Sequence, residues 1–145
     1  VLRQLALTDI GAAAQVHRVV FDQAMPWLVG LHTPEEDCWF YRERVYPTCW
    51  VWGRFDDDAL RGIIAFRDGW IEQLYVLPAA QGRGVGTELL RVAKEACDRL
   101  ELWTFQRNAP ALRFYEARDF ALVEQTDGAR NEEKEPDVRY LWTRR

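Results

Sequence analysis

Three glycines at alternate positions, in Gln81-Gly82-Arg83-Gly84-Val85-Gly86-Thr87, stand between a strand-like run and an amphipathic helix pattern. A helix entered through such a loop presents unpaired amides and the positive end of its dipole, and glycines let a ligand approach the backbone closely. That suits a pyrophosphate, with Arg83 as an added fixed charge. The same glycines also serve turns that need only the geometry. Spacing weakens two rival phosphate motifs. A Walker A loop ends in GK[ST], whereas Gly86-Thr87-Glu88 has no lysine. A dinucleotide fingerprint needs GxGxxG in a tight turn after a first parallel strand; here Leu77 to Gln81 separate the strand from a GxGxG run.

The elements around this loop fix the class of fold. Residues 1–7 alternate as a strand. Thr8 or Asp9 is expected to cap a helix reaching Ala24, with Ile10, Ala13, Ala14, Val16, Val20 and Phe21 near helical spacing, and Pro26 ends it. Thr33-Pro34-Glu35-Glu36 opens a second helix, running to about Tyr46, with a hydroxyl cap, proline in the first turn and acidic residues at the positive end of the dipole. Strands follow at Thr48 to Arg54, Leu60 to Arg67 and Trp70 to Val76. Asp68-Gly69 predicts a hairpin with positive φ at both turn positions. After the glycine loop, Val85, Leu89, Val92, Ala93 and Ala96 mark the inner face of a helix. Strand Glu101 to Gln106, helix Ala109 to Arg118 and strands near 120–125 and 137–143 complete the chain. Nothing divides residues 1–145, so we expect one domain: α/β, a central mixed sheet of about seven strands flanked by about four helices.

Composition removes several function classes. Hydrophobic residues at 48% and charged residues at 29% describe a globular chain. A net charge of −4 argues against a nucleic-acid partner, which needs a basic face. Cys38, Cys49 and Cys97 show no CxxC spacing and read as reduced thiols, implying neither zinc nor disulfide. The apolar stretch from Ile10 to Phe21 is broken by Gln15, His17 and Arg18 and is too short to span a membrane. With no signal-peptide pattern, the expected compartment is the cytoplasm.

The loop matches the [QR]xxGx[GA] motif of the GNAT superfamily of N-acetyltransferases at every fixed position, from Gln81 to Gly86. Upstream, Leu74-Tyr75-Val76-Leu77-Pro78 resembles that family's V-x-P strand end; downstream, Asn108 to Glu116 resembles its N-x-x-A-x-x-F-Y-E helix. Phe120 matches the usual Gly-Phe that follows, but Asp119 stands in place of the glycine. The resemblance covers about residues 70–120 and implies the GNAT fold, acetyl-CoA as co-substrate and no metal.

It further implies that acetyl-CoA lies between strands 70–76 and 101–106, which splay after a bulge. The backbone of Leu74 and Val76 would pair with pantetheine, and the amides of Gln81, Gly82, Arg83, Gly84, Val85, Gly86 and Thr87 would meet the pyrophosphate. The Val76 amide, at the expected bulge, would stabilise the oxyanion. Tyr115 is expected to bind beside the sulfur and act as general acid. Asn108 is either a pantetheine partner or a helix cap. Glu72 is the candidate base, because a charged amine must lose a proton before it attacks. Trp103 stands where members that modify ribosomal-protein N-termini often carry glutamate, which counts against that activity.

The acceptor is an amine of a small molecule or peptide. The acidic helix start Glu35-Glu36-Asp37, the tryptophans Trp27, Trp39, Trp50, Trp52, Trp70 and Trp103, and the segment from Asn131 to Asp137 together suit a cation. Helix-dipole compensation, core packing and a solvated loop are the structural readings of the same three features. Competing functions are protein N-terminal or lysine acetylation, and a module that binds acetyl-CoA without turnover. The family also raises a homodimer as an assembly.

Overall fold

The computed structural model describes all residues 1–145. Its elements are β1 (Leu2–Gln4), α1 (Ile10–Ala24), α2 (Pro34–Phe40), β2 (Trp50–Asp56), β3 (Ala59–Arg67), β4 (Trp70–Val76), α3 (Val85–Ala96), β5 (Arg99–Phe105), α4 (Ala109–Glu116), β6 (Ala121–Gln125) and β7 (Asp137–Thr143). The strands form one seven-stranded sheet in the order β1-β2-β3-β4-β5-β7-β6. All neighbours are antiparallel except β4 and β5, which α3 connects as a parallel pair. No helix is long and apolar enough to cross a membrane.

Two cores lie on opposite faces of the sheet. One, under α3 and α4, gathers Ile64, Phe66, Ile71, Val85, Leu89, Leu90, Leu100, Leu102, Tyr115, Phe120, Tyr140 and Trp142. The other, under α1 and α2, holds Ile10, Ala13, Val16, Tyr41, Val51, Phe55, Ile63 and Ala65. β3 feeds both faces, which explains its unbroken apolar run Ile63-Ile64-Ala65-Phe66.

Several local expectations need correction. Asp9 does not cap α1: its carboxylate accepts from the Ala6 amide at 2.8 Å and closes a 3₁₀ turn that precedes the helix. In the β3–β4 hairpin only Gly69 has positive φ (+80°), so one left-handed residue closes a turn for which two were expected. On α3, Ala96 is exposed and Leu90 takes its place in the core, the buried stripe turning toward the Leu90 side. The bulge in β4 lies at Glu72, not Val76: Ala65 pairs with Gln73 and Phe66 with Ile71, leaving Glu72 as the extra residue. That insertion lets Ile71 and Leu74, three apart, both reach the α3–α4 core, which strict alternation forbids. Thr33 caps α2 as expected, its hydroxyl accepting from the Glu36 amide and its own amide donating to the Glu36 carboxylate. The helix then widens, Tyr46 N–H reaching back five residues to the Tyr41 carbonyl.

The turn after α4 explains the missing glycine. Asp119 sits at φ +71°, a left-handed conformation that glycine adopts without steric cost. Removing that cost, less glycine's extra chain entropy, leaves a net gain of about 0.5–1 kcal/mol for Asp119→Gly. Thermal unfolding should show the variant melting roughly 2–3 °C above wild type. An unchanged or lower midpoint would mean that the aspartate compensates its own strain.

Candidate active site

β4 and β5 share a single ladder position, Trp70 opposite Glu101, and then part. Leu77 N–H donates to the Arg61 carbonyl at 2.8 Å, so the period of two turns the Tyr75 backbone toward β3 and the N–H groups of Leu74 and Val76 into the gap. The Val76 carbonyl is taken by the Gln81 side chain, whose Nε2 donates to it at 2.9 Å. Gln81 therefore braces the strand end against the loop.

The loop itself is built for close approach. Gly82 and Gly84 lie at φ +77° and +81° with open space where a Cβ would project. Gly86 has a different duty: a Cβ there would come within 2.9 Å of the Phe114 ring, so its absence lets α3 pack on α4. No amide from Gly82 through Thr87 donates to a carbonyl or side chain of the protein. Six consecutive free donors at the start of a 12-residue helix make an anion cradle.

A cavity of about 720 Å³ follows the gap from this cradle to the α1 side. It brings together Glu72, Leu74, Val76, Gln81, Gly82, Gly84, Val85, Gly86, Thr87, Asn108 and Tyr115. Arg83 is the expected binding residue that does not line it; its side chain stands out in solvent. The guanidinium inside belongs to Arg118, which sequence reasoning missed. Its Nε donates to Thr87 Oγ1 at 3.0 Å, its Nη1 to the Phe114 carbonyl at 2.9 Å, and it stacks 3.8 Å from the Phe114 ring. The available signal was its place one helical turn after Phe114.

Tyr115 is buried, 7% exposed, between the Phe114 and Phe120 rings. Its hydroxyl has no hydrogen-bond partner in the protein, yet it is not among the atoms sealed from solvent. Burial, with a smaller contribution from Tyr75, pushes its pKa well above the ordinary tyrosine value, so the phenol keeps its proton. Asn108 caps α4, its Oδ1 accepting from the Ala111 amide at 3.4 Å, while also lining the cavity. Glu72, on the bulge, accepts from Arg67 Nε at 2.8 Å at the cavity edge.

On the α1 face two of the three carboxylates of the acidic helix start are not free. Asp37 is buried and held by Arg18 through two bonds of 2.8 Å, and Glu36 is engaged by Thr33. Core packing accounts for Trp52, which packs against the α3–α4 core, but not for Trp27, Trp39, Trp50 and Trp103, which are all substantially exposed. Trp27 instead lies under the Arg107 guanidinium at 4.2 Å and donates to Glu135. The segment from Asn131 to Asp137 is likewise no solvated loop: Glu135 is 2% exposed and accepts two 2.7 Å bonds from Arg107.

Beneath the cavity, His17 was read in the sequence only as a break in an apolar stretch. Its Nδ1 meets the Tyr41 hydroxyl at 2.7 Å and its ring lies 4.5 Å from that of Tyr75. Burial first, and the Arg18 charge second, lower its pKa to about 4, so the ring is neutral and shares a single hydrogen bond with the Tyr41 hydroxyl.

Comparison with known proteins places this geometry. The acetyltransferase (GNAT) family model matches residues 14–120. A curated relative, the peptidyl-lysine N-acetyltransferase YiaC of Escherichia coli K12, is 33% identical over 76 residues, which is 52% of this chain and 51% of the relative. The match therefore spans about half of either protein. The solution structure of apo YjaB from Escherichia coli superposes with a TM-score of 0.81 at 16% identity, covering 100% of this chain and 98% of that one. PaiA N-acetyltransferase from Thermoplasma acidophilum, solved with coenzyme A, gives 0.77 at 19% identity over 99% and 98%. The chain belongs to the acetyltransferase (GNAT) family, and its mixed seven-stranded sheet with four helices is the fold of those neighbours.

The neutral His17 has a consequence for stability. Its folded pKa, about 4, lies below its ordinary 6.5, so protons favour the unfolded chain. The stabilisation is complete above pH 6.5 and is lost as pH falls toward 4, by up to about 3 kcal/mol. His17→Gln keeps a hydrogen-bonding partner for Tyr41 without the titration. Denaturant melts from pH 7 to pH 4 should show a shallower decline for the variant, whereas parallel curves would remove His17 from the acid response.

Proposed function

We propose that residues 1–145 act as one acetyl-CoA-dependent N-acetyltransferase domain that moves an acetyl group directly to a primary amine. The observation that carries this reading is one continuous wall: free amides at 82–87, free N–H groups at Leu74 and Val76, and a protonated, unbonded phenol at Tyr115. A thioester with a long amide-bearing arm and a pyrophosphate needs these donors in this order.

Acetyl-CoA supplies an activated acetyl group. The cradle, with Arg118 beside Thr87, takes the phosphates, and the Val76 N–H, at the loop end of β4, holds the arm as a strand would. The Leu74 amide, the free donor nearer the bulge at Glu72 and farther from the cradle, donates to the thioester carbonyl oxygen, where negative charge grows on attack. Glu72 takes a proton from the incoming ammonium through water. The amine lone pair then forms the C–N bond, the C–S bond breaks, and Tyr115 gives its proton to the departing sulfur. The second amine proton restores Tyr115, so the products are the amide, free thiol and one proton released to solvent.

The acceptor amine belongs to a small molecule or peptide, and similarity to a peptidyl-lysine N-acetyltransferase favours a lysine side chain within that range. A module that merely holds acetyl-CoA has no use for an acid at the sulfur, and a Tyr115 hydroxyl that lines the cavity without a protein partner speaks for turnover.

Single-turnover measurements across an amine panel test this reading. Tyr115→Phe preserves the ring packing and acetyl-CoA affinity and should slow transfer by roughly 10²–10⁴-fold. Glu72→Gln should show a deficit that shrinks as pH rises toward the pKa of the amine. Full single-turnover activity in Tyr115→Phe would take the tyrosine out of the mechanism, and acetyl-CoA binding without CoA release on any amine would leave a binding module.

A further inference from the structure

A second cavity, of about 780 Å³, is lined by the end of β5 and by the connection between β6 and β7. Trp103, Thr104 and Phe105 line both cavities, so the free half of β5 is their common wall. Four carboxylates face this second space, from Glu124, Asp127, Glu133 and Asp137, against one guanidinium, Arg130. Three of the four are committed. Glu124 accepts from Arg139 at 3.0 Å, Asp127 from the Ala129 amide at 2.9 Å, and Asp137 from Thr126 and, at 3.2 Å, from Asn131.

Glu133 alone makes no ion pair and accepts no hydrogen bond from the protein, although it is half-buried. Its neighbours hold the segment on both sides. Glu132 meets His32 at 2.9 Å, and the buried Glu135 is fixed by Arg107 and by the Trp27 indole. A free carboxylate is thus carried on a segment pinned to the rest of the domain. Its field reaches the cofactor cavity: after burial, the charge of Glu133 is the next contribution raising the pKa of Tyr75, a lining residue there.

We infer that Glu133 receives the ammonium group of the acceptor where the two cavities meet along Phe105, and so selects cationic, lysine-type amines over uncharged ones. This rests on the acetyltransferase reading and names the acceptor class of that same site. A carboxylate without a partner in the free protein is strengthened by whatever cation arrives, and the faces of Trp103 and Phe105 favour the same charge. The long apolar stem of a lysine suits the aromatic wall, and its charged end meets Glu133 before the proton is lost.

Two capped tripeptides separate the possibilities: Gly-Lys-Gly, and the same peptide with para-aminophenylalanine, whose amine is uncharged at pH 7. In Glu133→Gln the KM for the lysine peptide should rise roughly 10-fold with kcat nearly unchanged. KM for the arylamine peptide and the affinity for acetyl-CoA should stay within about twofold. Glu133→Asp should recover part of the loss, and added salt should narrow the gap between wild type and Glu133→Gln. Unchanged lysine-peptide KM in Glu133→Gln overturns the inference. So does a wild-type enzyme that prefers the arylamine, or that ignores both peptides while releasing CoA on another amine; the acetyltransferase reading survives those results. Retained acetyl-CoA binding with no CoA release on any amine overturns both.

Discussion

A sheet that stops pairing in its middle is the constraint on which the rest depends. Backbone N–H groups in a folded chain are almost always satisfied, and a strand that parts from its neighbour leaves a row of them bare. Here β4 and β5 are laddered only at Trp70 and Glu101, beside the bulge at Glu72. The donors of Leu74 and Val76 then face open space, continuous with the bare amides of the glycine loop. Such a wall stays open because other elements hold its sides apart. Gln81 ties the end of β4 to the loop, Gly86 lets α3 close on Phe114, and seven residues of β5 are laddered to β7 on its other edge.

What the sequence made legible was local. The glycine heptamer, the Val76-Leu77-Pro78 strand end and the Asn108 to Glu116 helix each carry their own geometry, and each lines or borders the expected cavity. Thr33 could be read as a cap because its partner, Glu36, is three residues away. Contacts between distant segments were not legible. Asp37 looked free until Arg18, nineteen residues earlier, was folded onto it. Glu135 looked solvated until Arg107 and Trp27 closed around it. Arg83 and Arg118 show the same limit from the other side: adjacency to the glycines made Arg83 attractive, but the direction of the loop turns it outward, and the turn after α4 delivers Arg118 in its place.

The same division explains why cofactor and acceptor differ in how far they can be argued. The cofactor wall is backbone, so its shape follows from strand period and helix start, which short motifs encode. The wall proposed for the acceptor is side chains from α1, β5 and the β6–β7 connection, joined by pairs such as His32–Glu132 and Arg107–Glu135. Its charge pattern emerges only after those pairs are subtracted, and what then remains on that wall is Glu133.

The central claim is that the free amides of one continuous wall receive acetyl-CoA, and amide-resolved NMR reads those groups directly. On titrating acetyl-CoA into ¹⁵N-labelled protein, the resonances of Leu74, Val76 and Gly82 through Thr87 should move together and saturate at one equivalent. Those of β1 and β6, remote from the gap, should stay in place. Saturable shifts confined to other elements, with Leu74, Val76 and the glycine loop unmoved, would contradict the account.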